Sequence, residues 1–354
     1  MNAFSPVAGV SIRTVELAPN RDRIDAYVVA QAGAQPFHRP QWSEAVERGC
    51  GQRAYYLVAE RPSRALAGVL PLTEIRSSLF GTALVSAGFA VGGGPLAEDD
   101  TVAEALAKAA WNLTRQLGCP SIEMRGGRVP LGWKRCEGVY AGFVRALPAG
   151  DEAILTAIPR KQRAEVRRAQ GFGLDVSHGS SASDRDAHYS VYAESVRNLG
   201  TPVFPRELFG AMLDAFGEDA DIVTVWKDGV PVSSVLSFYL NGTVYPYWGG
   251  GTRAARTLRA NELAYYELMR RAAARGCDRF DFGRSKLGTG AFAFKKNWGF
   301  EPQPLVYSMR TAPGMTPREI NPLSPKYRLK VAAWQRLPLW IANRLGPRIA
   351  RGLG

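Results

Sequence analysis

Two stretches of this chain repeat each other 158 positions apart, and such a repeat constrains the fold more than any single motif. Residues 118–124 read GCPSIEM, and residues 276–282 read GCDRFDF. At the same register, residues 101–117 overlay residues 259–275, and both segments carry apolar side chains at helical spacing. A helix, its Gly-Cys end and the strand after it therefore recur together, which predicts a duplicated domain.

Each half also has the same elements upstream of that helix. A hairpin comes first, and in the second half it turns at Lys227-Asp228-Gly229, where Asp-Gly is a strong hairpin signal. A third strand follows and ends in three glycines, at residues 92–94 and at residues 249–251. The sequence therefore predicts an α/β fold with mixed sheets in two tandem domains. The predicted boundaries are 1–148 and 149–312, with a basic amphipathic helical tail at 313–354.

The net charge of +13 first suggests a nucleic-acid binder, but its distribution does not support that interpretation. Residues 1–150 hold 16 basic and 13 acidic side chains, and residues 151–310 hold 21 and 18. Residues 311–354 hold 8 and 1, so more than half of the excess lies in the tail. We expect no DNA partner.

Cysteine usage and hydropathy bear on the compartment. None of the four cysteines forms a C-x-x-C pair, which favours reduced thiols over disulfides or a zinc site. The three histidines are scattered, so no metal site is expected. No apolar run approaches the roughly 18 residues of a membrane span, and the N-terminus does not read as a signal peptide. These features predict a cytoplasmic protein.

Residues 280–301 read FDFGRSKLGTGAFAFKKNWGFE, and their end resembles the Tyr/Phe-x-Lys-x-Gly-Phe turn that closes many GNAT acyltransferase domains. The whole stretch resembles the FemAB group of duplicated GNAT transferases. Within that group it is most similar to members associated with exosortase A/PEP-CTERM and exopolysaccharide loci. Residues 160–171 and 199–205 resemble the basic helix and the Gly-Thr-Pro segment of the family.

The resemblance implies transfer of an acyl or aminoacyl group from an activated carrier to an amine of a cell-envelope or exopolysaccharide precursor. No bound cofactor is implied, and the co-substrate is acyl-CoA, acyl-carrier protein or aminoacyl-tRNA. FemAB members that build peptidoglycan bridges use aminoacyl-tRNA and a lipid-linked acceptor, often with a coiled-coil arm, and no charged heptad stretch occurs here. The alternatives are a lipid N-acyltransferase of the CelD or ceramide-synthase kind and a non-catalytic scaffold.

Two residues are candidates for the chemistry. Lys295 aligns with a family lysine implicated in transfer, and it would stabilise the developing oxyanion or a carrier phosphate. The alternative is a helix lysine that reaches to solvent, as for Lys296. Asp281 lies in the middle of a strand and would accept a proton from the amine, or it would pair with Arg284. The resemblance also places Phe294, Lys296 and Trp298 in the site.

Basic residues beside glycines are the candidates for carrier binding, because free N–H groups and cations favour phosphate. The loop with Arg253, Arg256, Arg259 and Asn261 has this character, or it is a tight surface turn. The loop with Arg284, Ser285 and Lys286 would bind a phosphate or the acceptor, or it is only flexible. For the helix with Arg160, Arg163 and Arg167, the resemblance implies contact with phosphates of the acceptor, and the alternative is a solvated helix face.

Three further features complete the prediction. His38, in a segment that resembles the family's N-terminal approach to the cleft, is either a base or a structural side chain. Tyr247 lines an acyl channel or belongs to the core. The tail from residue 324 alternates apolar and basic positions at helical spacing, with Pro338 splitting the helix. It therefore predicts contact with the inner face of an anionic membrane, or docking on the second domain.

Overall fold

The computed structural model of the protein describes residues 3–7, 9–318 and 325–354, with side chains for residues 9–318 and 329–354. The chain folds into two units. The first comprises Met1–Glu137, Leu305–Asn321 and Arg348–Gly354, and the second comprises Gly138–Pro304 and Pro322–Pro347. Residues 319–324 of the predicted tail lie outside the described residues.

The first unit holds a nine-stranded sheet, counted over its described residues, in the order β1-β2-β3-β4-β5-β7-β16-β8, with β6 on β4. β5 and β7 pair in parallel, and the other pairs are antiparallel. A 3-10 turn at Pro36–His38 precedes α2. The strands are β1 Ala3–Val7, β2 Val10–Val15, β3 Arg53–Glu60, β4 Leu66–Ser77, β5 Gly81–Ser86, β6 Leu96–Ala97, β7 Ser121–Arg125, β8 Lys134–Cys136 and β16 Tyr307–Thr311, and the helices are α1 Leu17–Val29, α2 Pro40–Cys50 and α3 Asp100–Gln116.

The second unit holds a seven-stranded sheet, again over described residues, in the order β10-β11-β12-β13-β14-β9-β15. A 3-10 turn lies at Gly217–Asp219. The strands are β9 Tyr140–Ala146, β10 Asp175–Gly179, β11 Ala220–Lys227, β12 Val230–Leu240, β13 Thr243–Gly251, β14 Arg279–Lys286 and β15 Gln303–Pro304. The helices are α4 Asp151–Ala157, α5 Arg160–Gln170, α6 Ala182–Asn198, α7 Arg206–Phe216, α8 Arg253–Leu258, α9 Ala260–Ala274, α10 Gly290–Asn297, α11 Pro325–Arg336 and α12 Leu339–Ala350, of which α12 continues into the first unit from Arg348.

The predicted repeat and fold class are confirmed. β7 begins at Ser121 and β14 begins at Arg279, 158 positions later, and the helices before them, α3 and α9, overlap at the same shift. The Asp-Gly hairpin also forms between β11 and β12. Asp228 (φ 50°) and Gly229 (φ 75°) both take the left-handed conformation that such a turn requires.

Two strands differ from the predicted division of the chain. β9 precedes the predicted boundary at residue 148 but pairs with β14 in the sheet of the second unit. β16 lies inside the predicted second domain but pairs with β7 in the sheet of the first unit. The end of each repeat thus supplies a strand to the other repeat's sheet. Local patterning does not show such long-range pairing, because it records only which face of a strand is buried.

The glycine runs of the two halves also differ. In the second half the three glycines end β13, as predicted, whereas in the first half β5 already ends at Ser86. Positive φ values at Ala87 (42°) and Phe89 (64°) take the chain out of the extended conformation before residues 92–94 are reached. The first glycine run is therefore a loop rather than the end of a strand.

The pairing of β13 with β14 positions the site. The two strands run parallel and pair at Thr243 with Arg279 and at Val244 with Phe280. Beyond these residues, β13 continues along β12 and β14 continues along β9. The facing edges of β13 and β14 therefore separate toward their carboxyl ends, which is where ligands bind in open α/β sheets.

Residues 325–347 of the tail dock on the second unit, whereas residues 348–354 belong to the first unit. Val331 of α11 packs on Gly200, where an added Cβ would lie 2.4 Å from its Cγ1 atom. Farther along, Gly346 packs on Val203, whose Cγ1 would lie 3.0 Å from a Cβ at residue 346. Docking of the tail, one of the two predicted alternatives, is therefore present in the structure.

Candidate active site

A cavity of about 980 Å³ lies in the second unit, where β13 and β14 separate. Strand backbone, the ends of α6 and α11, and the helices α8, α9 and α10 form its walls. The lining residues are Ser195, Asn198, Leu199, Gly249, Gly250, Gly251, Thr252, Arg253, Arg256, Asn261, Tyr265, Phe282, Thr289, Gly290, Ala291, Phe294, Lys295 and Gln335. This combination of backbone, cations and aromatic rings suits a ligand with both charged and apolar parts.

The glycines of β13 allow α6 and α9 to approach the strand. A Cβ at Gly250 would lie 2.3 Å from the Oγ atom of Ser195, and one at Gly249 would lie 3.1 Å from the hydroxyl of Tyr265. Either side chain would displace its neighbour or fill the cavity. The residue type at these positions is therefore required by close packing as well as by the end of the strand.

Two of the three predicted loop arginines line the cavity. Arg253 and Arg256 are exposed, and neither forms an ion pair within the described ranges. Asn261 joins them and lies 2.7 Å from the hydroxyl of Ser233 through Oδ1. Arg259 differs, because its guanidinium pairs with Glu165 of α5 at 2.7 Å and does not line the cavity.

Lys295 lies on α10, which also lines the cavity. Its Nζ donates a hydrogen bond to the carbonyl of Arg284 at 2.9 Å and lies 5.5 Å and 5.6 Å from the ring centroids of Phe143 and Phe282. Burial lowers the pKa of Lys295 to about 8, and the negative charge of Asp281 opposes this shift. At neutral pH the side chain is therefore mainly an ammonium, held by a carbonyl and two aromatic faces.

Asp281 does not line the cavity. Its Oδ1 accepts the backbone N–H of Gly283 at 2.8 Å, which fixes the bulge between Asp281 and Arg284 where β14 leaves regular pairing with β9. Burial raises the pKa of Asp281, and the nearby charge of Lys295 counteracts that rise. Asp281 therefore stabilises the bulge through its hydrogen bond with Gly283, and its negative charge raises the pKa of Lys295.

An aromatic wall lies beside Lys295, and part of it was not predicted. Phe294 and Phe282 line the cavity with Tyr265, while Trp298 is fully buried behind them at 6.2 Å from both Tyr265 and Phe294. Burial raises the pKa of Tyr265 to about 12, so its hydroxyl keeps its proton. The only sequence signal for Tyr265 is its spacing, four residues after Asn261 on one helix face.

His38 has a structural role in the first unit. Its ring is buried, with Nδ1 accepting the N–H of Gln35 and Nε2 donating to the carbonyl of Gly94, each at 3.0 Å. Burial lowers the pKa of His38 to about 4, so it stays neutral. Both ring nitrogens are occupied, and neither is available as a base. Tyr247 likewise lies outside the cavity lining and packs against Phe238 and Trp248.

The remaining predicted residues are not brought into the cavity. Arg163 donates to the carbonyls of Thr156 and Ile158, so it caps the end of α4. Arg160 and Arg167 are exposed on α5. The guanidinium of Arg284 lies 4.5 Å from the ring of Tyr140, and Ser285 is buried. Lys286 and the exposed Lys296 also lie outside the lining.

Most of the residues that line the cavity lie within a match to a known protein family. Residues 159–296 match the family model of the acetyltransferase (GNAT) domain, and this range includes Arg253, Arg256 and Lys295. The chain has the tandem GNAT fold. The family match also confirms the predicted enzyme class, an N-acyl or aminoacyl transferase. A search of curated protein sequences finds no match.

Solved structures share this tandem fold. FemX is 16% identical with a TM-score of 0.65, and the match covers 83% of this chain and 96% of FemX. A tandem GNAT protein from the clavulanic acid biosynthesis pathway is 14% identical with a TM-score of 0.53, covering 87% and 100%. The C-terminal domain of a protein described as a lysylphosphatidylglycerol synthetase, from Agrobacterium fabrum, is 13% identical with a TM-score of 0.55, covering 84% and 93%. The predicted FemAB-like architecture is thereby confirmed.

Proposed function

We propose that the protein transfers an acyl or aminoacyl group from an activated carrier to an amine of a cell-envelope or exopolysaccharide precursor, and that this reaction takes place in the cavity of the second unit. The observation that carries this proposal is the position of Lys295, a mainly protonated ammonium that faces a cavity with two further cations, Arg253 and Arg256. Developing negative charge on a carbonyl oxygen is stabilised by such a preorganised cation.

The reaction follows from this arrangement. The neutral amine attacks the carbonyl carbon, a C–N bond forms, and the carbonyl oxygen becomes negative beside the Lys295 ammonium. The bond from carbon to the carrier's sulfur or oxygen then breaks. The proton lost by the amine leaves on the carrier, so charge and atoms balance. Asp281 acts through Lys295, because its carboxylate raises the pKa of that side chain from outside the cavity.

Carriers of this kind are anionic, which accounts for the arginines on the glycine side of the cavity. Arginine binds phosphate oxygens through two parallel N–H bonds, and Arg253 and Arg256 have no acidic partner among the described residues. We infer acyl-CoA or acyl-carrier protein as the donor, in keeping with the acetyltransferase domain at 159–296. Aminoacyl-tRNA with a lipid-linked acceptor is the second candidate, which the likeness to the lysylphosphatidylglycerol synthetase domain favours.

The test is a donor panel on the full chain with acetyl-CoA, palmitoyl-CoA, acyl-carrier protein and aminoacyl-tRNA. A donor at 100 times its Kd stabilises the folded protein by about 2.7 kcal/mol, so we expect one class to raise Tm by about 3–4 °C and to acylate an added amine. Binding without transfer to any amine would favour a scaffold within an exopolysaccharide or PEP-CTERM assembly system. If no donor binds and no amine is acylated, the proposal is contradicted.

We also propose that the tail contacts an anionic membrane surface on the cytoplasmic side. Among the described residues, no helix is long and apolar enough to cross a membrane. Leu329 and Trp340 are 79% and 70% exposed, although other residues of their helices, Val331 and Gly346, pack on the second unit. Exposed basic side chains lie among them at Lys330, Arg336, Arg344 and Arg348, a combination that suits the interface of an anionic bilayer.

The measurement is co-sedimentation with vesicles of phosphatidylglycerol or of phosphatidylcholine. We expect binding to the anionic vesicles only, and a loss of about three- to tenfold in Trp340→Ala because a large apolar side chain no longer inserts. The matched control is Leu131→Ala, which removes an apolar side chain that is 87% exposed in the first unit. Equal binding to both vesicle types would contradict the proposal.

A further inference from the structure

The first tail helix, α11, reaches the cavity, and it lies outside the residues 159–296 of the family match. Gln335, in its last turn, is one of the lining residues. Two hydrogen bonds attach it to α6: Gln335 Nε2 donates to the carbonyl of Asn198 at 3.2 Å, and Arg197 Nη1 donates to the carbonyl of Gln335 at 3.3 Å. The end of the tail helix is thus fixed at the rim of the cavity.

The orientation of the Gln335 carboxamide follows from its partner. A backbone carbonyl only accepts hydrogen bonds, so the group must turn its NH₂ toward Asn198. Its Oε1 then remains as an acceptor, and no described residue bonds to it. A carboxamide oxygen of this kind binds an N–H group of a ligand.

The neighbours of Gln335 indicate which substrate it meets. Glu194 of α6 accepts the backbone N–H of Arg253 at 3.0 Å, and Ser195 packs against Gly250. Asn198, one turn later, holds Gln335. The end of α6 therefore joins Gln335 to the glycine and arginine side of the cavity, whereas Lys295 lies on α10. Gln335 belongs to the carrier side.

We propose that α11 is a wall of the carrier-binding side of the cavity and that Gln335 Oε1 accepts a hydrogen bond from an N–H group of the bound donor. This inference rests on the proposed function, because it assumes that the donor occupies this cavity. Gly200 holds the wall in place: its φ of 79° and its contact with Val331 leave no room for a side chain. The tail thereby contributes directly to donor affinity.

The test is the Kd of acetyl-CoA and of palmitoyl-CoA, measured by calorimetry on the full-length chain. Gln335→Met keeps the length of the side chain but removes the acceptor together with the NH₂ group that donates to Asn198, so we expect the Kd of the tighter donor to rise about three- to tenfold. Gly200→Ala should raise the Kd at least as much and should also speed amide hydrogen exchange at residues 331–336. The matched control, Gln303→Met, makes the same replacement at an exposed residue of β15 that does not line the cavity, and it should leave the Kd unchanged.

The outcomes separate this inference from the proposed function. If neither donor binds the wild-type chain, the proposed acyl-CoA site and this inference both fail. If a donor binds the wild type and Gln335→Met equally well, the inference alone is overturned. Gln335 is exposed, so its replacement does not threaten folding, and the result stands even where Gly200→Ala lowers Tm.

Discussion

Replacing Lys295 by methionine should lower kcat about 100- to 1000-fold, with donor Kd changed far less. The loss is expected because the proposed mechanism places this ammonium beside the reacting carbonyl, and removal of one such group costs this much in acyl transfer. Methionine fills a similar volume beside Phe143 and Phe282. Asp281 loses the nearby positive charge but keeps its hydrogen bond from Gly283. The measurement is single-turnover transfer from the donor that the panel identifies.

The matched control is Lys296→Met. Lys296 is the next residue of α10, is exposed and does not line the cavity, so its loss should leave kcat within about twofold. Circular dichroism and Tm on both variants separate catalysis from folding. A Lys295→Met protein that folds and keeps more than about a third of the wild-type kcat would remove Lys295 from the mechanism.

The pH profile tests the charge state of the same group. Burial lowers the pKa of Lys295 to about 8, so the ammonium is present below pH 8 and is lost as the pH rises through that value. The rate should therefore have a falling limb near pH 8. Lys295→Arg should abolish this limb in the residual activity, because guanidinium stays protonated. Asp281→Asn should move the limb to lower pH, because the Asp281 charge raises the pKa of Lys295. A limb that Asp281→Asn leaves in place would disprove its action through Lys295.

The second large effect is expected in the double variant Arg253→Gln, Arg256→Gln. Both guanidinium groups line the cavity, and each hydrogen bond to a charged group contributes about 1.5–3 kcal/mol. Losing both should raise the Kd of the donor at least about 100-fold. Because the proposed contacts with the carrier are the same in the ground and transition states, kcat at saturation should change little. The weakening should also be smaller at high salt, where wild-type binding is itself screened.

The matched control removes two positive charges elsewhere. Lys108 and Arg115 are both exposed on α3 in the first unit, and Lys108→Gln, Arg115→Gln changes the net charge by the same amount. Donor Kd should stay within about twofold of the wild type. If the control weakens binding as much as the cavity pair does, general electrostatic attraction explains the arginines, and the proposed carrier site is wrong.

Much of the site could be predicted because its residues are close together in sequence. Arg253, Arg256 and Asn261 follow the glycines of one loop, and Phe294 and Lys295 share one helical turn. These residues line one cavity because the loop follows β13 and the helix α10 follows β14, and the two strands are adjacent in the sheet. Arg163 and Arg259 also lie in basic segments. Arg163, however, donates to backbone carbonyls, and Arg259 forms an ion pair with Glu165. Composition does not show whether a cation already has a partner.

The sequence by itself determined the duplication, the helix-and-strand order of each half and the loop that carries the cations, because periodicity and turn chemistry are local properties. Only the tertiary structure decided that β9 and β16 join the sheet of the other repeat, that His38 is buried, and that Gln335 lines the cavity. These outcomes depend on contacts between residues far apart in the chain. Gln335 lies 137 positions from its partner Asn198, and the pairing is decided by packing at Gly200, which no local pattern records.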